Sequence, residues 1–194
     1  VATLRGFTIL QPPHLLWINL VTDTFPALAL GTEKAEKDVM KRKPRDAKAG
    51  VFSGGMGFDV VYQGLIVAIL VLVSFFVGHY IETGNWQISD STHGTTMAFL
   101  TLAMAEIFHS LNMRSQRKSL FTIKQQNKLL WAAALGSFVL SVAVVAIPPV
   151  AGIFGFEPIG FVELGVAVLI GFAIIPIVEA VKAVQRALDK KKTK

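Results

Sequence analysis

The sequence predicts an all-α integral membrane protein: a bundle of five transmembrane helices, the first locally unwound around an ion site. Three observations predict it. The chain has 194 residues, 53% hydrophobic and 16% charged, with a mean hydropathy of +0.55. A soluble domain of that length has too much surface for its volume to hide so much apolar side chain. Five stretches long enough to span a bilayer are nearly free of charge, and the basic residues alternate between the connections in step with them. Cysteine is absent, which excludes disulfides, thiolate metal sites and thiol catalysis.

The first span covers about 12–30 and is interrupted by one acid, Asp23. The second, about 60–81, carries no acid or base except His79. Gly64 and Ala68 within it form a small-xxx-small pair, which predicts a close helix contact. The third, about 95–113, is interrupted by Glu106. The fourth, about 129–147, is closed by Pro148-Pro149. The fifth, about 161–181, has Glu163 and Glu179 near its ends, where both read as structural. Pro176 cannot donate to the carbonyl of Phe172 and is expected to kink this helix. Only helices and closed barrels satisfy the backbone in lipid, and these stretches are too long for barrel strands.

Segments 32–59, 114–128 and the tail after Val181 contain every Lys and Arg except Arg5, while 82–94 and 148–160 contain none. Five spans place all the basic segments on one side. The positive-inside rule makes that side cytoplasmic, with the N-terminus outside. Trp17, Tyr80 and Trp86 fall toward the outer boundary and Tyr62 and Trp131 toward the inner one, as interfacial belts require. The basic loops read as topology signals that touch anionic lipid in the bilayer, with no nucleic-acid role. The closing Lys191-Lys192-Thr193-Lys194 reads as a cytoplasmic basic tail. The chain opens at Val1 without a signal-peptide pattern and reads as a fragment or a processed chain.

An ionisable side chain at bilayer depth costs about 2.5–3.5 kcal/mol on insertion scales, so Asp23 and Glu106 are functional candidates by default. Asn19, Thr22, Asp23 and Pro26 stand at i, i+3, i+4 and i+7. This spacing puts an amide oxygen, a hydroxyl and a carboxylate on one helical face. Pro26 lacks the N–H that would bond the Thr22 carbonyl, so the helix is expected to loosen there and free backbone oxygens. Hard oxygen donors of mixed type suit Ca2+. The competing reading makes Asn19 and Thr22 packing glue and pairs Asp23 with a base on another helix. Glu106 lies midway along its span, with His109 at i+3 and Ser110 at i+4. It reads either as an ion ligand or as a buried, hydrogen-bonded acid. His109 reads as a supporting or packing residue.

The run Pro12-Pro13-His14-Leu15-Leu16-Trp17-Ile18-Asn19-Leu20-Val21-Thr22-Asp23-Thr24-Phe25-Pro26, continuing to Glu33, closely resembles the sixth transmembrane helix of P-type cation-transporting ATPases. Its Asn-Leu-Val-Thr-Asp form with the following proline resembles the sarco/endoplasmic-reticulum-type calcium-pump branch. Residues 96–112 resemble that branch's eighth helix. The resemblance covers the whole chain, 1–194, as helices six to ten. It implies that Asn19, Thr22 and Asp23 are calcium ligands, that Glu106 serves the more distal of two sites, and that the loop from Asp38 to Arg45, with Pro44-Arg45, couples to a phosphorylation domain. The implied activity is ATP-driven calcium export by alternating access with proton counter-transport, in the plasma membrane of a prokaryote. The phosphorylation motif and the nucleotide-binding and actuator domains are absent from these residues. Mg-ATP would therefore serve the intact parent only, and the implied partners are the missing N-terminal helices and cytoplasmic domains. Two rivals stand beside this reading: a subunit of a secondary cation transporter, and a non-catalytic membrane scaffold.

Overall fold

The computed structural model describes the chain except residues 1–2, 5–6, 36–39, 41–47, 49, 51, 54, 87–88, 117, 124–125 and 193–194. The expected coupling loop therefore falls outside the described residues apart from Met40, as do Arg5 and the last two residues of the basic tail.

Among the described residues the regular structure is helical apart from a small antiparallel ribbon, β1 (Thr3–Leu4) against β2 (Phe7–Thr8). The first predicted span forms three consecutive pieces: α1 (Pro12–Trp17), a π-helical segment (Ile18–Asp23) and α2 (Thr24–Leu30). Pro12 and Pro13 open α1, where a missing N–H costs nothing. Next come α3 (Met56–Thr83), α4 (Thr92–Asn112), α5 (Lys128–Ala146) and α6 (Pro148–Phe154). A final long helix is divided at Ala173 into α7 (Phe161–Phe172) and α8 (Ile174–Lys192). The break falls just before Pro176, which has no N–H to bond Phe172.

Among the described residues, three helices are long and apolar enough to cross a membrane: Met56–Thr83, Lys128–Ala146 and Phe161–Leu188. The protein is an integral membrane protein. The other two predicted spans are helical but fail that measure for different reasons. The π segment divides one, and α4 is rich in Thr and His. α4 tolerates polar side chains because it faces protein. Met97, Ala98, Phe99, Leu100, Ala103, Met104 and Ala105 are all fully buried, with α3, α5, α7 and α8 packed around them.

Close approach occurs where glycine removes the Cβ. A Cβ on Gly78 of α3 would fall 2.9 Å from the Cα of Gly94 of α4. One on Gly171 of α7 would fall 2.6 Å from the Cβ of Met104. Gly64, the residue expected at a close contact, has nothing within 4 Å of its Cβ position and lies exposed. Small-residue spacing marks faces that can approach; which of them does is decided by the packing of the whole bundle.

The connection 148–160 is not a plain loop. Ile147 is extended, as the residue before a proline should be, and Pro148-Pro149 start α6. α6 ends at Gly155 in the left-handed conformation (φ 69°).

Candidate functional site

No unwound turn forms where one was expected near Pro26. The backbone is not opened: Trp17, Asp23 and Thr24 all keep right-handed helical angles. Instead the helix winds wider through Ile18–Asp23, the π geometry that results when one residue is inserted into the ladder. Several groups then satisfy the disturbed carbonyls. The Thr22 hydroxyl donates to Ile18 O (2.9 Å), and the Thr24 hydroxyl donates to Asn19 O (2.7 Å). The Ser137 hydroxyl of α5, fully buried, donates to Val21 O (2.9 Å).

The upper end of this helix is fixed to the opposite corner of the bundle. His14 is fully buried, stacked on Phe156 at 4.4 Å. Its Nδ1 accepts from the Gln11 N–H (3.1 Å), so its Nε2 carries the hydrogen that Phe154 O accepts (2.7 Å). The lower end is held by Glu33. Both its carboxylate oxygens accept from Arg114, at 2.8 and 3.2 Å, and Asn127 Nδ2 adds a bond at 3.0 Å. The Arg114 hydrogen bonds hold the Glu33 carboxyl below the usual glutamate range, against a smaller opposing effect of burial.

Between these anchors the candidate ligands divide. Thr22 is buried against the bundle, 1% exposed, whereas Asn19 and Asp23 lie on the exposed side of the π segment. Asp23 has no hydrogen bond or ion pair among the described residues, so the competing reading that locks it onto a base has no partner there. Glu106, half-buried on α4, lines a cavity of about 430 Å³ with Leu10, Leu15, Gly64, Ala68, Leu102 and others. His109 lines the same cavity and bonds Gln63 Oε1 (3.2 Å). Ser110 bonds its own helix at Ile107 O and does not orient Glu106. Among the described residues no three His, Asp or Glu side chains gather as a metal cluster. The four candidate ligands are thus not gathered at one face, and Asn19 and Asp23 lie open.

The two acids read as structural have structural partners. Glu163 accepts from the Gly160 N–H at the start of α7 (2.6 Å) and pairs with His93 (2.6 Å). Glu179 accepts from the Leu120 N–H (2.8 Å). Sequence reasoning passed over His14, Gln63 and Ser137. For Ser137 a signal existed: with Ser141 it forms an i, i+4 polar pair within an otherwise apolar span, and Trp17 Nε1 lies 3.5 Å from Ser141 Oγ.

Residues 7–184 match the family described as "Cation transporting ATPase, C-terminus". Calcium-transporting ATPase 1 of Bacillus cereus is 38% identical over 190 residues, covering 92% of this chain and 21% of that protein. A calcium-transporting ATPase of Listeria monocytogenes is 38% identical over 189 residues, 96% of this chain and 20% of that protein. Calcium-transporting ATPase 3, endoplasmic reticulum-type, of Arabidopsis thaliana is 30% identical over 200 residues, 91% and 20% respectively. The chain thus spans about a fifth of the length of these relatives.

Proposed function

This chain belongs to the cation-transporting ATPases, as their C-terminal part, and from that premise we propose that it is the ion-binding membrane portion of an ATP-driven calcium exporter of the sarco/endoplasmic-reticulum type. In this reading the five helical segments all cross the bilayer. Asn19, Thr22, Asp23 and Glu106 supply oxygens to Ca2+, and Asp23 is shared between sites where two ions bind. The preceding helices of the same pump close the open side of Asn19 and Asp23. Mg-ATP is used by cytoplasmic domains outside these residues, and the membrane is the plasma membrane of a prokaryote, with the C-terminus cytoplasmic. The curated relatives named as calcium-transporting ATPases support the cargo. The Asn19 to Pro26 motif supports the branch.

One observation carries the reading: one carboxylate, Asp23, stands on a widened turn with no partner among the described residues, and a second, Glu106, lines a cavity on α4. Two carboxylates near each other in a medium of low dielectric repel strongly. A divalent cation between them removes that repulsion, and so do protons. The same pair can therefore exchange Ca2+ for H+ when helix movement changes their separation. This is the chemistry of alternating access with proton counter-transport. Moving a divalent ion against 100 mV costs about 4.6 kcal/mol, twice the single-charge value, so release needs the ligand geometry to change. A π segment is suited to that change, because its wide turn can return to α geometry by shifting one residue of register.

The test is Asp23→Asn in the intact pump, with calcium-dependent phosphorylation from ATP as the readout. The expected result is loss of calcium activation. Unchanged calcium dependence removes Asp23 from the site. Calcium transport without any phosphorylated intermediate would favour a secondary transporter.

A further inference from the structure

A second polar cluster lies at the C-terminal end of α4, apart from the acids described above. Lys182 of α8 is 4% exposed, and its ammonium donates to two backbone carbonyls, Asn112 O at 2.6 Å and Ser115 O at 2.8 Å. Its charged neighbours are Asp59 of α3 and Glu179 and Arg186 of α8. Asp59 is occupied: Gln116 donates to one of its oxygens (3.0 Å) and Gln185 to the other (2.8 Å). The cluster borders a cavity of about 170 Å³. Asn112 lines this cavity, is 1% exposed, and has neither its amide nitrogen nor its amide oxygen hydrogen-bonded. Leaving a buried polar atom unsatisfied costs about 1–3 kcal/mol, and the Lys182 ammonium, which leaves this amide unbonded, does not exhaust the polar groups of the cavity.

The oxygens gathered here are of one kind. Two accept from Lys182, one from the last residue of α4, where the backbone dipole leaves partial negative charge, and one from Ser115 in the segment after it; the third, the neutral amide oxygen of Asn112, lines the adjoining cavity without bonding the ammonium. A set of neutral carbonyl-type oxygens replaces the hydration shell of a monovalent cation, as in potassium-selective filters. A divalent ion needs carboxylates, and the neighbouring one, Asp59, already has both oxygens bonded to amides. An ammonium has three donors, and the two carbonyls use two of them.

We propose that this end of the bundle is a monovalent-cation site that the chain fills with its own ammonium. Lys182 is a tethered cation, and removing its side chain leaves a hole that accepts free ammonium or a potassium-sized ion. The proposal does not depend on which ion the pump carries, because its readout is stability and not transport.

The experiment measures thermal unfolding of the intact protein in detergent, in ammonium, potassium and choline chloride at equal ionic strength. Choline, a quaternary ammonium, has no N–H to give the two carbonyls. The wild type should unfold at the same temperature in all three salts. Lys182→Ala should be several degrees less stable in choline and regain most of the loss in ammonium. Lys182→Met keeps the packed stem and loses the charge, so it should be less stable in every salt and show no rescue. A Lys182→Ala protein that survives purification only in ammonium supports the site. Equal stability of Lys182→Ala in ammonium and choline overturns it, as does loss of that protein in every salt. Wild-type stability of Lys182→Met in choline also overturns it, since the charge would then be idle.

Discussion

Gly171→Ala should destabilise the bundle through one contact. The added Cβ would fall 2.6 Å from Met104 Cβ, 3.1 Å from the Ala105 nitrogen and 3.1 Å from the Thr101 carbonyl oxygen. All three are backbone atoms or a Cβ attached directly to the backbone, so no change of rotamer relieves the clash. Carbon atoms rest about 3.5–4.0 Å apart, so α7 and α4 must separate by about 1 Å. Overpacking of this kind costs about 1–3 kcal/mol. Alanine returns up to about 1 kcal/mol of helix propensity. The net expectation is a loss of about 1–2 kcal/mol. Gly165→Ala provides the control on the same helix: its Cβ would meet nothing within 4 Å, so it should gain the propensity term alone. Equilibrium unfolding of the two variants and the wild type in detergent measures the difference. Met104 and Ala105 immediately precede Glu106, so the displaced helix should also weaken calcium activation in Gly171→Ala and leave it unchanged in Gly165→Ala. If Gly171→Ala unfolds no earlier than Gly165→Ala, the inferred closeness of α4 and α7 is wrong.

Two further perturbations address the ends and middle of the first helix. Ser137→Ala deprives the Val21 carbonyl of its buried donor and should cost about 1 kcal/mol, within the range for hydrogen bonds between membrane helices. Wild-type unfolding of that variant would mean that the π segment satisfies its carbonyl elsewhere. The Glu33–Arg114 pair should be sensitive to acid. Because the folded state holds the Glu33 carboxyl below its ordinary value, its contribution is complete above the unfolded pKa of about 4.3 and is lost as pH falls through the lower folded one. Wild type and Glu33→Gln should therefore differ in unfolding temperature at pH 6 and converge as the medium is acidified below about pH 4. A gap that widens in acid would contradict the pairing.

The sequence determined the membrane class and the apolar runs that form α3, α5 and α7–α8, and it singled out two acids as candidates. Solvation is the reason. Long apolar runs are incompatible with water, and an isolated carboxylate is incompatible with lipid, so both are legible without any partner in view. Pro26 likewise announced a disturbance at Thr22, because a missing N–H is a local fact. What it could not announce was the outcome. The disturbance is a wide turn whose Val21 carbonyl accepts from Ser137, more than a hundred residues away. Tertiary structure also chose Gly78 and Gly171 over Gly64 as points of close approach, and it made polar α4 the most enclosed helix of the bundle. It brought Asn112 and Lys182 to one end of the bundle. Each of these depends on which surfaces meet, and a linear chain carries the shape of each surface without the pairing between them.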